Sequence, residues 1–448
     1  MDLSFKNIIS GFNETFTFFC VFPAIIIFGI YLTFKLKFVQ FSKLKMSFSC
    51  LMKKEEKGKG NISNYQAISA VVAGNLGTGN ISGMAVAISA GGPGALVWMW
   101  VMSFLGAVIQ YASCTLGMKY RKVNSEGEYV GGPMYYISEG LGFKKLGIFF
   151  SFCAILAAFT VGNFAQINSV ALPFQKIGIS PLLCGIGMAI VVGAVILGGI
   201  QRVAKVASSV VPVMATLYLG AALVIIFMHV DKVGGALWMM LTSAFDCTSI
   251  TGGVLGYAIV KSISTGFDRG LFATDAGTGI VPILQASART ENPVLNGIAT
   301  LIAPFLVMVL CTATGVVLIV TGAWQHLDLQ STNMVTYAFQ EGLGSRTGIY
   351  FVIFALALFS YTTIIAWACC AEKAVGFLWG TKHVRKFQYL YIALIPVGAI
   401  THVDIVWALA DISISLMLVT NLIGVAGLSK QVIGESREFF SLQASNHG

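Results

Sequence analysis

Two runs in this chain place glycine beside amide, hydroxyl and carboxyl side chains inside otherwise apolar sequence. The first is Ala73-Gly74-Asn75-Leu76-Gly77-Thr78-Gly79-Asn80, with Gly83 just beyond. The second runs from Gly266 to Gly279 and contains Asp268, Arg269, Thr274, Asp275, Gly277 and Thr278. Each glycine costs about 1 kcal/mol relative to alanine in a helix interior. Asn and Thr side chains also compete for the helical hydrogen bonds. The spacing therefore predicts a helix that unwinds at each run and leaves backbone N–H and C=O groups free. Free carbonyls suit a cation, and the N-terminus of a half-helix adds about half a positive charge for an anion. The alternative is that the glycines only let helices cross closely. Packing has no need of Asn75, Thr78 and Asn80 within such a run.

Asp275 is the sharpest single residue. A carboxylate in mid-span costs about 3 kcal/mol, so it should serve a purpose. It could meet a solute's cationic group, ligate a metal ion through a neighbour or take up a proton. The competing reading is an ion pair with Arg269, six residues away on another face of an intact helix. Such a pair requires the break. Asp268 and Arg269 themselves read as an outer gate or a structural pair. Further along, Ser360, Thr362 and Thr363 offer the oxygens a hard cation takes, unless they bond back to the preceding turn. Trp367, four residues after Thr363, could close a pocket over a side chain no larger than methyl. Asn163 and Gln166, three apart, share one helical face, with Asn168 close by. Gln166 reads as a solute contact or as glue between helices. Asp411 and Asn421 read as gating or packing residues.

The elements that carry these residues follow from composition. Of 448 residues, 56% are hydrophobic and only 10% charged, far from the roughly one-quarter charged of soluble domains. Apolar runs of about 20 residues recur, each long enough to cross the hydrocarbon as a helix. Eleven spans are expected, at roughly 15–35, 64–90, 93–118, 146–171, 181–200, 206–229, 252–287, 296–322, 347–372, 387–402 and 404–428. The fold class is thus an all-α polytopic membrane protein, its first span retained. The segment Gly131-Gly132-Pro133-Met134-Tyr135-Tyr136 reads as a helix lying on the cytoplasmic surface.

Charge placement orients the chain. With alternating spans, 22 of the 28 Lys and Arg residues fall on one side, and four (Lys6, Lys176, Lys232 and Arg346) on the other. Eight of the 22 lie in one loop: Lys35, Lys37, Lys43, Lys45, Lys53, Lys54, Lys57 and Lys59. That loop should be cytoplasmic, which puts the N-terminus outside and the C-terminus in the cytoplasm. The net charge of +9 is then topological and does not suggest nucleic acid. Nine scattered cysteines make no zinc or disulfide pattern. Enzyme readings lack parts: Gly77-Thr78-Gly79 does not continue as GxGxxG, no GxSxG exists, and the five histidines have no metal spacing.

The breaks fall in the first and sixth of the ten spans 2–11, and those two spans run in opposite directions. That is the pattern of inverted five-helix repeats with a binding site at the bilayer midplane. The expected domains are 1–60 (first helix and basic loop), 61–230 and 231–428 (the repeats) and 429–448 (a cytoplasmic tail).

Several motifs resemble the alanine/glycine:cation symporter family. They are GNLGTGNISGMAVAISAGGPGALVWMW from Gly74 to Trp100, GGPMYYISEGLG at 131–142, LGGIQRVAKVAS at 197–208 and RGLFATDAGTG at 269–279. YTTIIAWACCAEKA at 361–374 and WALADISISLMLVTNL at 407–422 carry the likeness almost to the C-terminus. The resemblance implies a LeuT-like fold with one added N-terminal helix, and uptake of alanine or glycine driven by Na+ or protons. It also implies a sodium site formed by Thr362 and Thr363 with the carbonyls of Ala73 and Asn75. Substrate contacts would come from Asn75, Gly77, Thr78, Gly79, Gln166, Asp275, Gly277 and Trp367. The family's usual Ser-Asn-Glu-Ala-Gly is replaced here by Ala273-Thr274-Asp275-Ala276-Gly277, and a common glutamate by Ser113. The expected function is sodium-coupled symport of a small neutral amino acid across the inner membrane by alternating access. A proton-coupled permease and an ion channel are the alternatives.

Overall fold

A computed structural model describes residue 11 and residues 15–52, 58–245, 254–290, 292–326, 328–329, 331–401 and 403–445. Lys6, Lys53, Lys54, Lys57 and Cys247 lie outside the described residues. Among the described residues the regular structure is helical, save a two-stranded hairpin of β1 (Lys122–Val123) and β2 (Tyr129–Val130) and an isolated bridge between Ile62 and Ala288.

A first helix, α1 (Phe22–Lys35), leads into two short helices, α2 (Val39–Ser42) and α3 (Leu44–Met52). The chain then enters α4 (Asn64–Asn75), started by a capping box in which Ser63 and Gln66 exchange side-chain bonds with each other's backbone. After an interruption come α5 (Ser82–Gly91) and α6 (Ala95–Lys119). Next are α7 (Lys144–Phe159) and α8 (Ala165–Lys176), joined by a π-helical turn at Thr160–Phe164. α9 (Pro181–Ile196), α10 (Gly199–Met228) and α11 (Val230–Ser243) precede α12 (Val254–Thr274). A second interruption separates α12 from α13 (Ile280–Gln285). α14 (Pro293–Thr300), α15 (Ile302–Val320) and α16 (Thr332–Leu343) follow, then the 35-residue α17 (Ser345–Trp379). α18 (Val384–Ala393), α19 (Ile395–Ile400), α20 (Val403–Gly427) and α21 (Ser429–Ser445) complete the chain.

Among the described residues, seven helical stretches are each long and apolar enough to cross a membrane alone, including Ala95–Lys119, Lys144–Lys176 and Ser345–Trp379. Of the helices of the two interrupted regions, α4, α5 and α13 are too short to do so singly, and the 21-residue α12 is interrupted by the charges of Lys261, Asp268 and Arg269. Every residue of α4 from Ala67 to Asn75 is buried. Peripheral α10 by contrast exposes Val213, Leu223 and Phe227, as a helix facing lipid does. Small residues let the interior helices approach closely. A Cβ on Gly106 of α6 would stand 2.8 Å from the Ala276 side chain beyond α12.

The basic segments converge on one face. The Arg121 guanidinium donates to the carbonyls of Lys59 (2.9 Å), Ala288 (3.0 Å) and Thr290 (3.0 Å). Lys119 pairs with Glu435, and Arg385 donates to the Leu197 carbonyl at 2.9 Å. One region differs from expectation. The segment at 131–136 does not lie flat on the surface. Pro133, Met134 and Tyr136 are buried, and the Tyr136 hydroxyl donates to Asn421. Its glycines permit this insertion, since a Cβ on Gly132 would strike Ile283 of α13 at 2.6 Å. α11 and α16, which fall between the expected spans, are helices whose mixed polar and apolar sequence masks a one-sided apolar face. The C-terminal tail is likewise helical through α21, which buries Val432, Ile433 and Ser436.

Candidate functional site

The two interruptions meet at the centre of the molecule. At the first, Leu76 leaves the helical region (φ −89°, ψ 73°) and Gly77 is extended (φ −105°, ψ −169°). A 3-10 turn at Thr78–Asn80 then leads into α5. Side chains cover the exposed backbone. The Thr363 hydroxyl, from α17, is 2.8 Å from the Ala73 carbonyl and 3.3 Å from that of Leu76. Asn80 Nδ2 donates to the carbonyls of Asn75 (2.7 Å) and Gly77 (3.3 Å). Gln166 Oε1, from α8, accepts from both the amide (2.9 Å) and the hydroxyl (3.0 Å) of Thr78.

The second interruption uses a different backbone. Asp275 (φ +48°), Gly277 (φ +88°) and Gly279 (φ +94°) all lie in the left-handed region. That conformation is open to glycine and costly for aspartate. The Asp275 carbonyl accepts from Thr278 Oγ1 at 2.7 Å. Asn421 Nδ2 of α20 donates to the Gly277 carbonyl at 2.7 Å and to Ser113 Oγ at 3.0 Å. A direct tie joins the two interruptions: Asn75 Nδ2 donates to the Thr274 carbonyl at 2.7 Å.

Between them lies a small cavity walled by Gly74, Asn75, Gly77, Gly79, Asn80, Val161, Gln166, Phe272, Asp275, Thr363 and Trp367. Every one of these residues is buried. At about 10 Å3, the space takes roughly one water-sized sphere. Two of its polar atoms, Asp275 Oδ1 and Trp367 Nε1, are buried without a hydrogen-bond partner. Buried polar atoms are normally paired, so an orphan carboxylate oxygen marks a place built to receive a donor or a cation. Glycine is required at the wall. A Cβ on Gly77 would stand 2.8 Å from Gln166 Oε1 and 2.9 Å from Thr363 Oγ1, filling the gap between them. One on Gly162 would enter the Trp367 side chain.

Of the residues singled out from sequence, Asn75, Gly77, Gly79, Gln166, Asp275 and Trp367 line this cavity. Thr78 is tied to its wall through Gln166. Gly277 is not brought in; it faces Ile109 and Leu418 on the far side of the break. Ala73, Asn75 and Thr363 come together as expected of neighbours, but Thr362 does not join them. Its hydroxyl bonds back to the carbonyls of Leu358 and Phe359, both at 3.1 Å. The Asn75 carbonyl is occupied by Asn80. Asn163 and Gln166 do not share a face, because the π-helical turn shifts the register between them. Asn163 donates to Tyr391 of α18 at 3.0 Å, while Gln166 reaches the first interruption.

Arg269 makes its ion pair with Asp411 of α20 (2.7 Å), not with Asp275. Its guanidinium also lies 5.1 Å from the Trp407 ring, and that ring is 4.8 Å from Phe272. The pair thus caps the aromatic residue that walls the cavity on this side, with Asp268 adjacent on α12. Towards the basic face, Lys373 of α17 pairs with Glu128 of the hairpin loop. Sequence reasoning missed Gly74, Asn80, Val161 and Phe272 as wall residues. Asn80 stands in the first glycine run and was legible there. Phe272, three residues before Asp275 on the last turn of α12, required the geometry.

A family profile described as Sodium:alanine symporter family matches residues 1–447. The Sodium/alanine symporter AgcS of Methanococcus maripaludis is 37% identical over 422 residues, covering 92% of each chain. The Probable sodium/glutamine symporter GlnT of Bacillus subtilis is 34% identical, over 92% of this chain and 86% of that one. Among solved structures, a Na+-coupled sialic acid symporter superposes with a TM-score of 0.54 at 13% identity, over 85% of this chain and 81% of that one. At that identity the likeness speaks for the fold alone.

Proposed function

The chain belongs to the sodium:alanine symporter family, a family of multi-pass membrane transporters and not of enzymes, and we propose that it carries alanine or glycine inward together with Na+. The observation that carries this reading is the closed cavity at which both helix interruptions meet around the unpartnered Asp275 Oδ1.

A small neutral amino acid is a zwitterion. Its ammonium group is placed against Asp275. Its carboxylate takes the Thr78 amide and hydroxyl over from Gln166 Oε1, which is the exchange that opens the cavity. Val161, Phe272 and Trp367 crowd the cavity, so a side chain of one methyl group or a hydrogen asks the least displacement of them, which favours alanine and glycine over the glutamine of one relative's name. Na+ is placed between Thr363 Oγ1 and the carbonyls of Ala73 and Leu76, oxygens of the kind a hard cation prefers. Thr362 is left out of that site because its hydroxyl is spent within its own helix.

The chain crosses the inner membrane eleven times, with spans 2–11 forming two inverted five-helix repeats over 61–230 and 231–428. The basic face is cytoplasmic, which places the N-terminus outside. The cavity then sits at the bilayer midplane, sealed outward by Arg269, Asp411, Phe272 and Trp407. It is sealed inward by the 131–140 segment and the Lys373–Glu128 pair. The two seals open alternately. One Na+ entering down 100 mV gains about 2.3 kcal/mol, which alone sustains roughly fortyfold accumulation.

Proteoliposome uptake of labelled alanine, glycine and serine, with and without a sodium gradient, tests the proposal. Accumulation of alanine or glycine that collapses when choline replaces sodium is the expected result. A buried carboxyl with a free oxygen also suits a proton, so uptake driven fully by a pH gradient in sodium-free buffer would replace sodium by protons as the coupling ion. Sodium flux without any counterflow of labelled amino acid would instead make the protein a channel.

A further inference from the structure

On the basic face, two cavities of opposite character flank the turn after the first helix. The chain leaves α1 at Lys35 and reverses through Lys37 and Phe38, both left-handed (φ +53° and +54°). Side chains rarely adopt that conformation, yet here two adjacent ones do. One cavity, of about 470 Å3, lies between this turn and α21. Lys35, Lys37, Lys43 and Arg437 line it, with Leu36, Phe440 and three serines. Four cationic residues therefore line it and no acidic residue does, with Lys43 Nζ 4.4 Å from the Phe440 ring. Of the acids on α21 nearby, Glu435 is held by Lys119, and exposed Glu438 is not part of the wall.

The other cavity, about 610 Å3, is a groove between α1, α6 and α15 whose wall is almost wholly apolar. Ile30, Phe41, Leu44, Phe104 and Phe305 define it, and Ile30, Phe41 and Phe305 are exposed on the lipid-facing surface. The segment 40–44 forms a wall of both cavities, with Phe41 and Leu44 in the groove and Ser42 and Lys43 in the basic cavity. Gln40, at the junction, donates from Nε2 to Thr33 Oγ1 at 2.8 Å. Its Oε1 is buried without a partner.

A cluster of cations beside an apolar groove in a membrane protein matches one kind of molecule in both halves. A soluble anion has no use for the groove, and a neutral lipid has none for four cations. We propose that the paired cavities bind one anionic phospholipid, with its phosphate among Lys35, Lys37, Lys43 and Arg437 and an acyl chain in the groove. The Gln40 oxygen is placed to accept from a headgroup hydroxyl, as a glycerol headgroup supplies. The lipid then bridges the first helix, which lies outside the two proposed repeats, to the transport core. The groove reaches Phe267 on α12, so occupancy bears on one of the interrupted helices.

Native mass spectrometry of the purified, delipidated full chain tests this, with phosphatidylglycerol, phosphatidylcholine of the same acyl chains, or inorganic phosphate as the added probe. Wild type should retain phosphatidylglycerol in preference to phosphatidylcholine. Each cation neutralised in the pair Lys43→Gln and Arg437→Gln should weaken that retention by about fivefold. Lys35→Gln with Lys37→Gln, at exposed positions on the other wall, should give the same loss without touching α21. Ile30→Trp, which fills the groove, should weaken phospholipid retention and leave inorganic phosphate unaffected. Equal retention of the two lipids, or wild-type affinity in both charge pairs, would overturn the proposal. So would phosphate displacing the phospholipid while Ile30→Trp has no effect, since that pattern describes a site for a free anion.

Discussion

The two helix interruptions solve one problem in different ways. The first keeps every described residue from Asn75 to Ile81 at negative φ and relies on neighbours, with Gln166, Thr363 and Asn80 bonding its freed backbone groups. The second turns through three left-handed residues and leaves a carboxylate oxygen unbonded in the cavity. The first is therefore a frame whose bonds can be exchanged. The second is a fixed presentation of charge, strained at Asp275. An interruption made by glycine alone would supply the chain reversal without either property.

If the division is right, the largest effect comes from removing the charge. Asp275→Asn keeps the shape and should lower alanine uptake about 100-fold or more, because a charge partner in a buried pair is worth several kcal/mol. Surface labelling should show the variant in the membrane at the wild-type level. Next come the glycines that make space. Gly162→Ala pushes a methyl into Trp367, and Gly79→Ala places one 2.6 Å from the Phe272 ring. Overpacking of this kind costs about 1–3 kcal/mol, so each should reduce uptake by roughly tenfold or more. The loss should be steeper for alanine than for glycine, which is read from competition by the two unlabelled amino acids.

A subtler contrast lies one residue apart. Thr363→Val removes a hydroxyl bonded to the first interruption, and Thr362→Val removes one bonded to its own helix. The first should raise the sodium concentration for half-maximal uptake by about tenfold, one hydrogen-bond equivalent. The second should leave it within about twofold. Equal shifts in the two variants would erase the distinction drawn between these neighbours.

Much of this was readable in the chain. Glycine with Asn and Thr inside apolar sequence marks both interruptions, because those residues weaken a helix where packing alone would not ask for it. The contacts of Arg121 with Lys59, Ala288 and Thr290 tie three of the basic segments together. Other features depend on information that no local pattern holds. Which of Thr362 and Thr363 faces the first interruption is a matter of about 100° of helix rotation. The π-helical turn that parts Asn163 from Gln166 adds register that spacing cannot reveal. Arg269 has Asp268 and Asp275 near it in sequence, yet its ion pair is with Asp411, 142 residues away. The 131–136 segment carries surface-type turn residues and is nevertheless buried, since two glycines let it slip under α13.

The central claim is that amino acid and Na+ share one site created by the two interruptions. Binding at a shared site must be reciprocal, each ligand raising the other's affinity by the same factor. Equilibrium binding of labelled alanine to the purified protein across a sodium titration measures that factor directly. The account predicts that sodium tightens alanine binding by about tenfold or more in wild type, and that Thr363→Val reduces the factor to near one while alanine still binds. Alanine affinity that ignores sodium in wild type, or an undiminished factor in Thr363→Val, would contradict it.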